Sequence, residues 1–596
     1  MDVEDLRCLA VRDAVPVLEY AALTKPTTPP IDRIPVEILC EIFKHYAHDV
    51  IHTPPPILAD EVRIPSSQEY AYTWTKVIKV CRRWHDAALS CPGLWSDIVV
   101  THSQWIAKVL ARTGQTPLNV LAGLSYNPKG IDALKLVLQE MNRVFSLCIS
   151  LPPGLVPDLA EHLRNLPPSL VSLELTWGNW YETSNLPLVD VSDIYLHSQS
   201  PHLRHISITN VPFMDWTSSI LCPTVITLSW KKPRGMGGKK IRMSVILAAF
   251  KAMPLLESAE LENVIANEIE QDSVPGPGVV KLPHLRTLKI HGDYLTPEMC
   301  TSLLHNLSLP ALLSLHLSCY PTETVSYILA PFSALLQNQS RIHALSIKLS
   351  GYSLQIHAWT SPGAERHLSD VSSASEFFID DAYGLTGPGD LKPNISLVMN
   401  LRDVYNLGTR ILLGFCKNMP LSDVKALRVH TRVLSHKQWR ELFAMLDGIA
   451  FLQIQNFPAP ALLQALYSRR ARPDENVTDR LVMSGLHTLQ FDDCSLSDVY
   501  AHEGEGQEDA MTYLLFILDH RRAGGSQLQR LILQRCSVTT SAQLDAARAI
   551  IGEVDCTNVQ TMKQDKGGDD DEFDVAFKDG QRQVDTYSHI DFGSLA

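Results

Sequence analysis

The segment Leu-Pro-His-Leu-Arg-Thr-Leu-Lys-Ile, residues 282–290, decides the fold because its pattern recurs along the chain. Its apolar residues follow Leu-x-x-Leu-x-Leu, with other aliphatic residues allowed. Twelve copies occur after residue 140, and as far as Leu345 the central position recurs every 22 to 33 residues. The period-2 alternation that ends each copy predicts a short β-strand. The central positions are Leu147, Leu173, Ile206, Leu228, Ala259, Leu288, Leu315, Leu345, Leu427, Leu452, Leu489 and Leu531.

Amphipathic helical patterns lie between many of the copies, and a strand followed by a helix every ~20–30 residues is typical of leucine-rich repeats. No single unit of this kind buries its apolar face, so neighbouring units must stack. We therefore expect an α/β fold for residues 99–556, a curved solenoid with parallel strands on the inner face and helices outside. The helical patterns are residues 158–166, 242–253, 297–307, 435–446 and 509–520.

The array resembles the helix-containing repeats imperfectly. The Asn or Cys that follows the strand in that family appears in register only as Cys494 and Cys536, whereas Asn210, Asn263 and Asn456 fall one residue early. Residues 351–392 are rich in serine, glycine and acidic residues, which predicts a long loop. A weaker copy around Leu397 and Met399 divides the long gap there.

Alternate strand positions point away from the helices and carry polar residues of mixed charge. We interpret this face as a binding surface for a protein target, although ordinary solvated strand residues would give the same pattern. The candidate target-binding residues are Glu174, His205, Lys289, His316, Arg428 and Gln453.

Two further helices are predicted before the array. Residues 34–46 place apolar side chains on a helical face behind Pro35, which suits a first helical turn. Residues 74–90 form the second helical pattern, which Pro92 and Gly93 terminate.

These residues resemble the F-box family. The chain has Ile34-Pro35-x-Glu37-Ile38-Leu39-x-x-Ile42-Phe43, then Val80-Cys81-Arg82-Arg83-Trp84, then Leu94-Trp95. It departs from the family in having Ile34 for leucine and a Pro-rich insertion at residues 49–72, similar to insertions in the large F-box families of fungi. The resemblance covers residues 31–98, preceded by an N-terminal segment and Pro-rich linker at 1–30.

F-boxes bind the Skp-type adaptor of cullin–RING ubiquitin ligases through an apolar helical surface. The resemblance therefore implies an adaptor-binding site, although the same residues could instead pack against one another within a helical bundle. The candidate contacts are Ile34, Pro35, Ile38, Leu39, Ile42, Val80, Cys81 and Trp84.

Charge and composition narrow the function classes. A net charge of −13 argues against non-specific nucleic-acid binding, which needs a basic face. The first residues carry charges without a following apolar run, and the apolar stretches are far shorter than the ~20 residues of a membrane span. We expect a soluble intracellular protein of the cytoplasm or nucleus, with a disordered acidic tail at 557–596.

The sequence contains no phosphate-binding loop, no His-Glu-x-x-His helix and no Gly-x-Ser-x-Gly turn. Its 12 cysteines include no C-x-x-C pair, so we expect no metal, no cofactor and no catalytic activity. The sequence predicts a substrate receptor that binds the adaptor, and through it cullin and RING subunits, together with a protein target. The alternative is a leucine-rich-repeat scaffold or sensor without ligase activity.

Overall fold

The computed structural model divides into two compact units, Met1–His205 with Ser218–Ile220, and Ile206–Thr217 with Leu221–Ala596. The predicted N-terminal segment and acidic tail lie almost entirely outside the residues that the structure describes. Those residues are 30–52, 71–124, 130–151, 159, 166–177, 200–210, 220–232, 240–266, 278–292, 295–320, 341–350, 352–360, 393–401, 407–431, 433–456, 460–467, 481–502 and 505–561.

The first unit combines a helical front with a parallel sheet. Its strands pair in the order β1–β2–β3–β4, and every pairing is parallel. The helices are α1 (Val36–His52), α2 (Arg82–Leu89), α3 (Ser103–Thr113) and α4 (Ile131–Gln139), and the strands are β1 (Asp97–Val99), β2 (Leu118–Gly123), β3 (Val144–Leu151) and β4 (Ser172–Trp177). Short 3-10 helices span Pro30–Arg33, Thr73–Lys79, Pro92–Trp95 and Met141–Arg143.

The prediction of one helix over residues 74–90 was wrong. A 3-10 helix covers Thr73–Lys79, and α2 starts only at Arg82. Cys81 between them has an extended backbone, with φ −158° and ψ 169°, which no helix accommodates. The break turns the chain and leaves Val80 60% exposed.

The second unit contains the remaining elements. Its helices are α5 (Met243–Ala252), α6 (Pro297–His305), α7 (Leu407–Asn418), α8 (His436–Met445), α9 (Pro460–Tyr467), α10 (Ala510–Ala523) and α11 (Ser541–Ile550). Its strands are β5 (His205–Thr209), β6 (Thr227–Lys231), β7 (Ser258–Glu262), β8 (Val280–Lys281), β9 (Thr287–His291), β10 (Leu307–Ser308), β11 (Ser314–Cys319), β12 (Ala344–Leu349), β13 (Ser353–Trp359), β14 (Ile395–Asn400), β15 (Ala426–Thr431), β16 (Phe451–Gln455), β17 (Thr488–Asp492), β18 (Val499–His502), β19 (Glu505–Asp509), β20 (Arg530–Gln534), β21 (Ser537–Val538), β22 (Glu553–Thr557) and β23 (Gln560–Thr561).

The twelve repeats of the sequence all form strands, namely β3 to β7, β9, β11, β12, β15, β16, β17 and β20. Their aliphatic residues are buried, as Leu285, Leu288 and Ile290 are in β9 and just before it. Seventeen described strands, four in the first unit and thirteen in the second, make up extensive and mostly parallel sheet structure. The α/β class and the parallel strands are therefore confirmed.

The predicted helices at 242–253, 297–307, 435–446 and 509–520 are also confirmed, as α5, α6, α8 and α10. Ser435 caps α8 through a capping box in which the Oε1 of Gln438 accepts a 2.8 Å hydrogen bond from the Ser435 amide. The predicted helix at 158–166 lies outside the described residues except Leu159 and Leu166.

The asparagines that fall one residue early form a recurring turn. Asn210, Asn263 and Asn456 directly follow β5, β7 and β16 with φ values of 60°, 55° and 67°. Asparagine tolerates this left-handed conformation better than most residues. The backbone N–H of Asn456 donates to the backbone carbonyl of Asp492 at 2.9 Å. The turn therefore continues the backbone hydrogen bonding to the next strand.

The repeats do not stack in strict chain order. β11 pairs with β14, and β14 pairs antiparallel with β13. β13 pairs antiparallel with β12, which then pairs in parallel with β15. The prediction of a loop from residue 351 was therefore wrong for β13, whose alternating Leu354, Ile356 and Ala358 are all buried. Residues 361–392 of the predicted loop lie outside the described part.

Among the described residues, no helix combines the length and the apolar character needed to cross a bilayer.

Candidate functional site

Helix α1 has more apolar surface than its own unit covers. Leu39, Phe43, Ala47 and Ile51 recur every four residues and are buried. Ile38, Ile42 and Tyr46 form a second stripe, and they are 52%, 47% and 44% exposed. Residues four apart lie above one another on a helix, so the two stripes are adjacent and only one faces the core.

The buried stripe packs against an aromatic core. The Phe43 and Trp84 rings lie 5.0 Å apart, as do those of Trp74 and Trp95. Trp95 is fully buried, and its Nε1 donates to the Ala88 carbonyl at 2.9 Å. The donor of Trp95 is therefore satisfied, whereas the buried Nε1 of Trp74 has no hydrogen-bond partner among the described residues.

Other exposed apolar residues belong to the same front module. Ile31 is 41% exposed and Val36 is 42% exposed, in addition to Val80. The guanidinium of Arg83 donates to the Ile31 carbonyl at 3.1 Å and also to the Ile34 carbonyl, which ties the segment before α1 to α2. We define the exposed apolar set as Ile31, Val36, Ile38, Ile42, Tyr46 and Val80.

The structure separates the predicted adaptor contacts into three groups. Ile38, Ile42 and Val80 belong to the exposed apolar set, and Pro35 and Cys81 are also exposed. Ile34 and Trp84 are half-buried. Leu39 is 1% exposed and points into the core, so its assignment as a surface contact is corrected.

Three contributors to this surface were absent from the predicted contacts, namely Ile31, Val36 and Tyr46, although Tyr46 belongs to the helical pattern at residues 34–46. Ile31 and Val36 were not singled out because Ile31 precedes the helical pattern and Val36 is one position outside its spacing. Arg83 occupies the variable position of Val-Cys-Arg-x-Trp, so the motif itself gave no reason to select it.

Cys40, the thiol on α1, is suited to packing rather than to chemistry. Burial, followed by the neighbouring Cys91, raises its pKa to about 11. Its Sγ donates to the Ala87 carbonyl at 3.6 Å. A nucleophilic cysteine needs a lowered pKa, so Cys40 is a poor nucleophile.

A second candidate surface lies in the second unit, where the strand registers align one polar residue per strand. Lys289 lies opposite His316, and Arg428 lies opposite Gln453. Four of the six predicted target contacts thus fall in one cross-strand row. This polar row consists of Ser229, Glu260, Lys289, His316, Ser396, His357, Ser346, Arg428, Gln453 and Gln490.

One end of the polar row is buried. Arg428 is 1% exposed, Gln453 is 0% exposed, and the Nε of Arg428 donates to the Oε1 of Gln453 at 2.6 Å. The prediction that these two side chains contact a target from an open face was therefore wrong. Burial also lowers the pKa of Arg428 to about 10, although the distant carboxylate of Asp492 opposes that effect.

The histidines of the polar row are neutral at pH 7. Burial lowers the pKa of His357 to about 4. Burial, then Lys289, His291 and His357, lower the pKa of His316 to about 4. Because a buried imidazolium loses its hydration, both rings stay uncharged until the solution is strongly acidic.

The other predicted target contacts are more accessible. Lys289 and His316 are half-buried in the row. Glu174 is half-buried in β4 of the first unit, and His205 is exposed at the start of β5, where the boundary between the two units falls.

No protein-family model matches the chain, and the comparison with curated proteins finds no match.

Proposed function

We propose that the protein is a substrate receptor of a Skp–cullin–F-box ubiquitin ligase. In this proposal the module of residues 31–98 is an F-box that binds the Skp-type adaptor. The array behind it is a leucine-rich-repeat solenoid that binds a protein target, and the chain performs no bond chemistry of its own.

The observation that carries the proposal is the exposed apolar stripe Ile38, Ile42 and Tyr46 on a helix whose adjacent stripe is already buried. Three large apolar side chains in a row on one helix are typical of a surface that another polypeptide covers. Ile38 and Ile42 belong to the Ile-Leu-x-x-Ile-Phe motif that led to the F-box resemblance, and Tyr46 follows it by one helical turn.

Such a receptor would act by proximity. Binding adaptor and target on one chain raises the effective concentration of a target lysine near the ubiquitin-loaded enzyme. Lys289, His316, Glu174 and His205 remain the candidate target contacts, since their side chains are at least partly accessible.

The test is co-purification of the Skp-type adaptor, cullin and RING subunits with the full-length protein. Ile38→Asp and Ile42→Asp should each abolish co-purification, because a charge at a buried interface position loses its hydration. Both side chains point away from the core, so the fold should persist. Trp84→Ala is less informative, since that ring packs on Phe43.

Leu313→Asp is the matched control, because it puts the same charge on a 60% exposed leucine in the second unit. It should leave co-purification unchanged. Equal capture by wild type and by Ile38→Asp would reject the docking surface. A chain that captures the adaptor but no cullin would instead favour the scaffold or sensor function.

A further inference from the structure

Three possible metal ligands meet where the last turns of α1 approach β1. His48 and His52 are one helical turn apart, and their ring centroids are separated by 4.3 Å at an interplanar angle of 84°. The Oδ2 of Asp97 lies 4.0 Å from the Nε2 of His52. One ligand atom from each residue lies within 4.8 Å of those of the other two.

The carboxylate of Asp97 is held in place from the next strand. The Nδ2 of Asn119 donates to its Oδ1 at 2.7 Å, and the two residues lie opposite each other in the β1–β2 register. One oxygen is thereby fixed, and the other faces His52. Outer partners of this kind orient metal ligands and typically change metal affinity ~10–100-fold.

The cluster is open to solvent. The side chain of His52 is 39% exposed and that of Asp97 is 21% exposed, which leaves room for water ligands.

We propose that His48, His52 and Asp97 bind one Zn²⁺ ion, with water completing the coordination. Two imidazole nitrogens and a carboxylate oxygen are a ligand set that zinc accepts. Ligands at ~2.0–2.1 Å from a tetrahedral zinc lie roughly 3.3 Å apart, so small side-chain rotations bring these atoms into position.

Zinc at this site ties the C-terminal turn of α1 to β1. The same helix carries Ile38, Ile42 and Tyr46 about half a turn to three turns before His48, so the ion would rigidify the element that presents them. The site does not depend on the proposed adaptor function, because its ligands lie outside the exposed apolar set.

The experiment is zinc titration of the metal-stripped full-length protein by calorimetry, together with hydrogen exchange. The wild type should show one class of zinc-binding site in the titration. This class should be absent from both His48→Ala and His52→Ala. Asn119→Ala should keep this class with an affinity about 10-fold weaker. Zinc should slow amide exchange in residues 47–52 and 97–99 of the wild type and of His45→Ala, but not in His48→Ala or His52→Ala, because binding stabilises the ordered site.

His45→Ala is the matched control, since His45 is an exposed histidine on the same helix outside the cluster. It should bind zinc as the wild type does. The chain has 22 histidines and 12 cysteines, so a background common to all variants is subtracted. Identical isotherms for wild type and the exposed-position variant His48→Ala would overturn the proposal, as would zinc K-edge absorption that shows sulfur ligands.

Discussion

At the residue scale, exposure decides the role of a side chain more than its type does. Leu39 and Ile38 are neighbours of similar hydrophobicity, yet one is 1% exposed and the other 52%. Their directions differ by about 100°, the rotation per residue of an α-helix. The adaptor-docking test therefore separates them, since only Ile38 tolerates a charge without disturbing the core.

His357 should make the second unit sensitive to acid. Its folded pKa of about 4 lies below the unfolded value of ~6.5, so the unfolded state binds the proton first. Stability is therefore present above pH 6.5 and is lost as pH falls towards 4. From pH 7 to pH 5 the loss should be up to about 2 kcal/mol.

The measurement is the urea midpoint of the wild type and of His357→Gln at both pH values. The variant should lose less stability on acidification. His305→Gln, at an exposed position on α6, is the control and should keep the wild-type difference. An unchanged acid sensitivity in His357→Gln would argue against a buried neutral ring.

At the element scale, the left-handed asparagine turns connect β5, β7 and β16 to the next repeat. The same conformation occurs at Asp493, Arg535 and Asn558, which directly follow β17, β20 and β22 with φ values of 53°, 50° and 54°. The repeat therefore specifies a backbone conformation at this position more strictly than a residue type.

Asn456→Ala should destabilise the second unit, since alanine in the left-handed conformation costs about 1 kcal/mol and lacks the short polar side chain that makes asparagine tolerate it. Asn456→Gly removes the same side-chain contact with His430 and keeps the left-handed conformation at no steric cost. The comparison of Ala with Gly in chemical unfolding thus isolates the backbone contribution. Equal stability of the two variants would contradict the strained turn.

At the scale of the whole molecule, each of the two compact units contains fully buried aromatic residues of its own. Trp95 is fully buried in the first unit, and Phe443 is fully buried in the second. A cavity should therefore weaken the unit in which it lies.

Trp95→Ala should destabilise the first unit by ~3–5 kcal/mol, because it removes a buried indole and leaves a cavity. Hydrogen exchange should speed up in β1 and β2 and remain slow in β16. Phe443→Ala is the reciprocal variant and should affect β16 alone. If either variant lost protection against hydrogen exchange in both units, the two units would unfold as one.

The sequence alone determined the positions of the twelve repeat strands and of four helices between them. The periodicity of apolar residues predicts local conformation, because the apolar positions mark the face of a helix or strand that is buried. It also located the front module through Ile34 to Phe43 and Val80 to Trp84, although it missed the break at Cys81.

Only the tertiary structure decided which apolar stripe of α1 is exposed. It also decided that β13 and β14 lie between β11 and β12. The burial of Arg428 and Gln453 likewise became apparent only there. The tertiary structure alone brought Asp97 to His48 and His52. Each of these facts depends on residues far apart in the chain, and a local pattern specifies a side chain's direction without specifying what lies in front of it.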